Sequence, residues 1–398
     1  GKVPADWSLE SIRAITELKS KRGEPDLRVL SVYRDYGVIP KDSRDDNHNA
    51  TSLDTSNYKV VEPGDLVVNK MKAWQGSMGV SEHRGIVSPA YITCKTDADK
   101  VVPRFLHYLL RSQPFIAVYN SLSYGVRIGQ WDMHYEDFKK IPLAYPDLDT
   151  QNRIVSFLDE KSAEIDAAIA KKRRLIDLLN EQKAILINRA VTKGLNPDAP
   201  MKDSGVNWIG EIPAHWEVAK VKGVFDLLDS RRIPLSGEVR GGMTERTYDY
   251  YGASGIIDQV DDYIFDETTI LIAEDGANLV MRNLPLAIIA TGKYWVNNHA
   301  HILRPRDGDV HYWANALEAA DYRPLISGAA QPKLTKDAIK NVFLPRPPSE
   351  EQAVISNWLE EIPKHFLPAE EATQKEISAL NEFKQTLIAN AVTGKIKI

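Results

Sequence analysis

The chain has 398 residues, 43% hydrophobic and 26% charged, which is room for two or three domains, each with its own core. Its single cysteine, Cys94, excludes an intramolecular disulfide and a cysteine-rich zinc site, and fits a reducing, cytoplasmic setting; no apolar run nears the ~18 residues of a membrane span. A net charge of −5 argues against a strongly basic nucleic-acid binder.

Taken in chain order, "PADW" at residues 4–7 opens a strand-rich block expected to fill residues 1–148. Two stretches in it carry side chains of the kind that contact DNA. "NKMKAWQGS" offers Asn69, Lys70, Lys72, Trp74 and Gln75, and "SYGVRIGQWD" offers Tyr124, Arg127, Gln130 and Trp131. A strip with Pro142 and Pro146 follows, then a long helix over residues 149–194. Leu158, Ile165, Leu179 and Leu186 keep a seven-residue period there, interrupted at Lys172, which is the seam of a coiled coil. Asp149 or Thr150 is placed to cap this helix and Gly194 to stop it. Residues 195–212, dense in Gly, Pro, Asn and Asp, read as a linker.

A second block is expected over residues 213–348, opening with "PAHW". Its candidate readers are Arg231, Arg232, Arg240, Arg246, Asn278, Arg282, Asn297, Asn298, Gln331 and Lys333. A second long helix is expected over residues 349–398, with Leu359, Phe366, Leu380 and Leu387 on its seam and Thr373 at the remaining heptad position. Pro363 and Pro368 predict a break, with a short helix up to about Glu361 and a new one from about Pro368.

The two halves are copies. "LNEQKAILINRAVTKGL" at residues 179–195 and "LNEFKQTLIANAVTGKI" at residues 380–396 agree at nine of 17 positions. At the same offset of 201, Gln151 matches Gln352, Ile154 matches Ile355 and Gln130 matches Gln331, whereas the blocks between the helices barely match. The expected architecture is therefore α/β (α+β): two globular modules with twisted, mostly β sheets, joined by two long helices paired antiparallel. At ~1.5 Å per residue, four heptads of seam form a rod of ~42 Å, a little over one turn of B-DNA.

Catalytic motifs are scarce. No glycine-rich phosphate loop stands between a strand and a helix, and no methyltransferase tetrapeptide of the type D/N/S-P-P-Y/F occurs. "EDGAN" at residues 274–278 could serve a metal-dependent nuclease, with Asp275 and His299 as its candidate pair, and His299 with His301 could begin a zinc site. The alternatives are a turn after a buried strand for "EDGAN" and, for the histidines, a polar strand end facing DNA or a satisfied, partly buried pair. Lys and Arg number 20 against 18 Asp and Glu over residues 1–140, and 14 against 18 over residues 217–341. Neither block is strongly basic, so weak DNA affinity is expected of the lone chain.

Two variable blocks, each followed by a similar long helix, resemble the DNA-specificity (S) subunit of type I restriction–modification systems. Pro142, Pro146, Gln151, Ile154 and Leu158 carry the resemblance in the first copy, and Pro345, Pro347, Gln352, Ile355 and Leu359 in the second. "SGVNWIGEIPAHWEVAKVKGVF" at residues 204–225 resembles the family's entry into its second recognition domain. The resemblance implies that each block is a target recognition domain reading half of a split DNA sequence. It also implies that the helices set the gap and dock two modification (methyltransferase) subunits, which restriction (motor and nuclease) subunits join. No cofactor is implied in this chain; S-adenosylmethionine, ATP and magnesium would serve the partners. The runner-up readings are a two-domain metal-dependent nuclease or phosphodiesterase, and a phage-defence adaptor with S-subunit-like architecture.

Overall fold

The computed structural model describes residues 3–44, 51, 54–125, 131–328 and 331–398. The chain divides into two compact units, one formed by Gly1–Arg173 with Gln374–Ile398 and the other by Arg174–Thr373.

The first unit is entered through the strand Ser8–Ser11, which pairs antiparallel with Pro142–Tyr145. The Pro-rich strip is thus an edge-type strand, where a missing N–H is tolerated. The central sheet is antiparallel, in the order Thr16–Leu18, Ile92–Thr96, Leu66–Val68, Met78–Val80. Alternation is absent along Leu66–Val68 because Val67 is as buried as Leu66 and Val68, with hydrophobic side chains packed on both faces. The helix Pro103–Leu110 covers one face with Phe105, Leu106, Leu109 and Leu110, and Pro103 sits at its start, where no amide partner is lost.

The second unit repeats this plan. Glu217–Lys220 pairs with Phe343–Arg346, and an antiparallel sheet runs in the order Phe225–Leu227, Ala300–Pro305, Thr269–Ala273, Ala287–Ala290. A further four-stranded sheet, Gly255–Val260, Tyr248–Gly252, Lys293–Val296 and Phe265–Asp266, contains one parallel pairing. The helix Val310–Ala319 takes the place of Pro103–Leu110, and the Asp309 carboxylate caps it by accepting from the His311 and Tyr312 amides.

The long helices span Leu148–Lys193 and Ser349–Val392. In the first unit they run antiparallel, since Asp166 pairs with Lys384 at 2.7 Å and Lys172 pairs with Glu376. In the second unit Lys183 pairs with Glu370 at 3.1 Å. Of the predicted seam residues, Leu158, Ile165 and Leu359 are buried, whereas Leu179, Leu186, Phe366, Leu380 and Leu387 are half-buried. Ile169, Thr373 and Ile377, near the centres of the two helices, are buried as well.

Two expectations about these helices are corrected. The second helix does not break at Pro363 and Pro368; it passes through both. Both prolines are exposed, on the side where a released carbonyl can be hydrated, and burial of Leu359, Ile362 and Ile377 offsets their cost. The first helix is capped neither by Asp149 nor by Thr150. Asp147, one residue before the helix, accepts from the Thr150 amide at 2.7 Å.

Each module is completed by the far end of a helix. The first core holds Ile154 and Leu158 together with Ala391 and Val392; the second holds Ile355 and Leu359 together with Ala190 and Val191. This explains why the helix ends are the most alike parts of the two copies. After each "AVT" the chain turns with positive φ, at Gly194 (70°) and Gly394 (70°). The two "PAxW" tryptophans sit against these turns. A Cβ at Gly194 would lie 3.1 Å from Trp216, and one at Gly394 would lie 3.1 Å from Trp7 and 2.5 Å from Pro4. Tyr312 ties the second module to its helix, its fully buried hydroxyl lying 3.1 Å from the Val191 carbonyl and 3.0 Å from that of Pro345. Tyr312→Phe is expected to destabilise this unit by about 1–2 kcal/mol, read as faster amide exchange in Val310–Ala319 while Pro103–Leu110 is unaffected.

Candidate nucleic-acid interface

Each module brings two loops together at the end of its central sheet. In the first, the chain leaves Leu66–Val68 through Asn69 and Lys70, and a second loop is closed by the bridge between Tyr124 and Asp132. The two are joined by the Met133 amide donating to the Lys70 carbonyl at 3.0 Å, and by a Lys70–Asp132 ion pair at 3.3 Å. In the second, the chain leaves Thr269–Ala273 through Glu274, and the second loop is closed between Ser327 and Lys333. There the Leu334 amide donates to the Glu274 carbonyl at 2.8 Å, and Glu274 pairs with Lys333 at 3.2 Å. The same frame is present twice, with the two charges exchanged.

On the first frame, Trp74 and Trp131 meet edge to face at 5.1 Å, and Tyr124 stacks on His134 at 5.0 Å while remaining exposed. Lys72 is exposed, Gln75 half-buried and Asn69 buried. Arg127 and Gln130 lie outside the described residues.

The second module treats its candidates differently. Arg231 pairs with Glu267 at 2.6 Å and lies over the Phe265 ring at 4.3 Å. Arg240 lies over Tyr250 at 4.8 Å and shares Asp258 with Arg246. Arg282 donates to the Glu318 and Ala320 carbonyls, and Asn278 braces its own turn through the amide and carbonyl of Leu284. These residues hold loops together, and the guanidinium planes nominated for base contact are engaged within the protein. Arg232 is nearly buried, bonded to Glu274 at 2.5 Å and to the Ala300 carbonyl at 2.9 Å. Asn297 is buried, its carbonyl oxygen accepting from the His299 amide. Asn298, Gln331 and Lys333 stay exposed beside the paired loops.

Beneath these loops lies a buried charged group. His301 is fully buried, with Nδ1 2.8 Å from the Asp229 carboxylate and Nε2 2.7 Å from the Leu334 carbonyl. Burial pushes the Asp229 carboxyl up, but hydrogen bonds from His301 and the Ile302 amide, with the Arg232 charge, outweigh it and hold the acid below its usual range. Glu274 is likewise lowered against its own burial, by Arg232 and Lys333. His299 and His301 therefore do not act as a pair: His301 is locked inside, while His299 is exposed and bonded to Asp275 at 2.8 Å. Among the described residues no group of three or more His, Cys, Asp or Glu is placed to hold a metal ion, and no helix is long and apolar enough to cross a membrane.

Gln151 and Gln352, which the sequence marks as repeat and family positions, are clamps. Gln151 accepts from the Val102 amide at 2.7 Å and donates to the Pro146 and Lys100 carbonyls at 2.8 and 2.9 Å. Gln352 accepts from the Asp309 amide at 3.0 Å and donates to the Pro347 carbonyl at 2.9 Å.

Residues 213–379 match the family described as "Type I restriction modification DNA specificity domain". The chain is 21% identical to the "Putative type I restriction enzyme MjaX specificity subunit" of Methanocaldococcus jannaschii, over all of this chain and 95% of that one. It is 24% identical to the "Type I restriction enzyme MjaVIII specificity subunit" of the same organism, over 86% and 83%. A "Putative type I restriction enzyme specificity subunit" of Haemophilus influenzae is 30% identical, over 34% of each chain. Among solved structures, a chain from work on "complex assembly" and "conformational transition of the type I R-M system" aligns over 100% of both chains, with a TM-score of 0.67 and 16% identity.

Proposed function

We propose, from the premise that this chain belongs to the type I restriction–modification DNA-specificity family, that it reads a DNA target split into two halves, one half by each module, with the antiparallel helices as spacer. The observation that carries this is the doubled frame: two loops latched alike at the same sheet end, bearing different side chains in each module. A common support with variable tips is what two different half-sequences require.

The chain itself is non-catalytic. Two methyltransferase subunits bind along the helices, whose exposed Leu175, Leu178, Ile185, Leu367 and Phe383 leave apolar surface for them, and restriction subunits join that core. Base methylation with S-adenosylmethionine, and cleavage with ATP and magnesium, belong to those partners. The lone chain binds DNA weakly, since neither module is strongly basic, and tight binding follows when the partners close around the duplex. The nuclease reading has no support in the relatives.

Removing one facing heptad from both long helices tests the spacer. Seven residues shorten a helix by ~10 Å, which is about three base pairs. Methylation mapping of DNA from cells carrying the variant with its methyltransferase is expected to show both half-sequences intact and the gap about three base pairs shorter. An unaltered gap refutes the spacer.

A further inference from the structure

We infer that His299, held by Asp275, reads one base of the second module's half-site by accepting a hydrogen bond from an exocyclic amino group of adenine or cytosine. This inference rests on the function proposed above.

Three observations carry it. The first is place. His299 lies just before the strand Ala300–Pro305, and Asp275 just after Thr269–Ala273, so both sit at the sheet end where the paired loops converge. The backbone at Asp275 bridges to Lys333 of the second loop. The exposed Asn298 and Gln331 belong to the same surroundings.

The second is chemistry. Asp275 faces Nδ1 of His299 with both carboxylate oxygens, at 2.8 and 3.1 Å. A carboxylate only accepts, so Nδ1 carries the proton. In the neutral ring Nε2 is then a bare acceptor, and the ring is exposed. The carboxylate is mostly buried, and the His299 amide is itself pinned to the Asn297 side chain at 2.8 Å, so the acceptor is fixed in position before any ligand arrives. In the major groove the amino groups of adenine and cytosine are the donors; guanine and thymine offer only acceptors and a methyl group.

The third is asymmetry. The frame around this position is common to both modules, but the pair is not. Residues 69–72, which follow the equivalent strand of the first module, read Asn-Lys-Met-Lys, and its sheet neighbour Ile92–Thr96 is entered through "SPAY" at residues 88–91, with neither a carboxylate nor a histidine in either stretch. A feature present on one of two like supports is where two half-sequences can differ.

The test uses the whole chain assembled with its methyltransferase subunits, with methylated sites mapped across a genome. Wild-type chain is expected to give one bipartite motif. With His299→Ala, the half-site read by the second module is expected to lose discrimination at a single position by roughly tenfold to a hundredfold. The half-site of the first module stays unaltered and reports that the protein is folded. With Asp275→Asn the ring is free to present either nitrogen as donor, and a partial loss at the same position is expected. Should His299→Ala leave the motif as it was, or weaken methylation equally at every sequence as loss of a phosphate contact would, the inference is overturned. A wild-type chain that directs no bipartite methylation instead overturns the reading on which it rests.

Discussion

Replacing Gln151 by alanine is expected to destabilise the first unit by about 4 kcal/mol, and Gln352→Ala the second by about 3 kcal/mol. Each glutamine is buried, at 0% and 1% exposure; its bond to the Pro146 or Pro347 carbonyl is buried and the others are partly buried, so water replaces these partners incompletely. Loss of Gln151 strands the Val102 amide and the Lys100 and Pro146 carbonyls; loss of Gln352 strands the Asp309 amide and the Pro347 carbonyl. An unpaired buried backbone group costs about 1–3 kcal/mol, and the vacated volume adds to it. The effect should also be directional. Each glutamine joins three things: the Pro-rich strip, the first turn of a long helix, and the N-terminus of the module's own helix. Removing it frees the module to tilt on its helix before it unfolds. Amide exchange is expected to quicken in Pro103–Leu110 for Gln151→Ala and in Val310–Ala319 for Gln352→Ala, each leaving the other helix protected. Equal exchange in both helices would mean that the glutamines are not local clamps.

These glutamines mark where the sequence ceases to be readable. Their repetition at an offset of 201 was visible, as were the heptads and the glycine stops, because those signals are local or periodic. Their role was not, since the partners of Gln151 at Val102 and Lys100 lie 49 and 51 residues away. The arginines of the second module show the same limit. A run such as "DSRRIPLSGEVRGG" looks like a set of free cations, but the carboxylates that engage Arg231 and Arg232, Glu267 and Glu274, arrive 36 and 42 residues later. Pro363 and Pro368 failed in the opposite sense. The local rule was sound, but burial of neighbouring Leu359 and Ile362 in the helix outweighed it. His299 and His301 show that an alternating pattern fixes which face a side chain takes and not its surroundings, since one is fully buried against Asp229 and its neighbour is exposed.

Acidification is expected to weaken the first unit before the second, through His107. Its ring sits beneath the hairpin of Leu30–Tyr33 and Gly37–Pro40, where a Cβ at Gly37 would come within 2.7 Å of it. The Arg111 guanidinium donates to Nε2 at 2.7 Å, so that nitrogen bears no proton and Nδ1 faces the Val80 carbonyl at 3.4 Å. Burial first, then the charges of Arg111 and Arg104, push the imidazole down to about 3, from 6.5. The folded value is depressed, so the contribution to stability is complete above 6.5 and is lost as pH falls from there toward 3. In that window the unfolded chain binds a proton that the folded one refuses. At about 1.4 kcal/mol per pH unit, the step from pH 6.5 to 4.5 removes roughly 2–3 kcal/mol from the first unit. Carboxylates titrate in both units, so the informative quantity is a difference. His107→Gln keeps an acceptor for Arg111 but cannot be protonated. The pH dependence of amide exchange in Pro103–Leu110 is expected to be shallower in this variant than in wild type by about one proton, while Val310–Ala319 follows the same curve in both proteins. Parallel curves for Pro103–Leu110 would show that His107 takes up its proton while still folded.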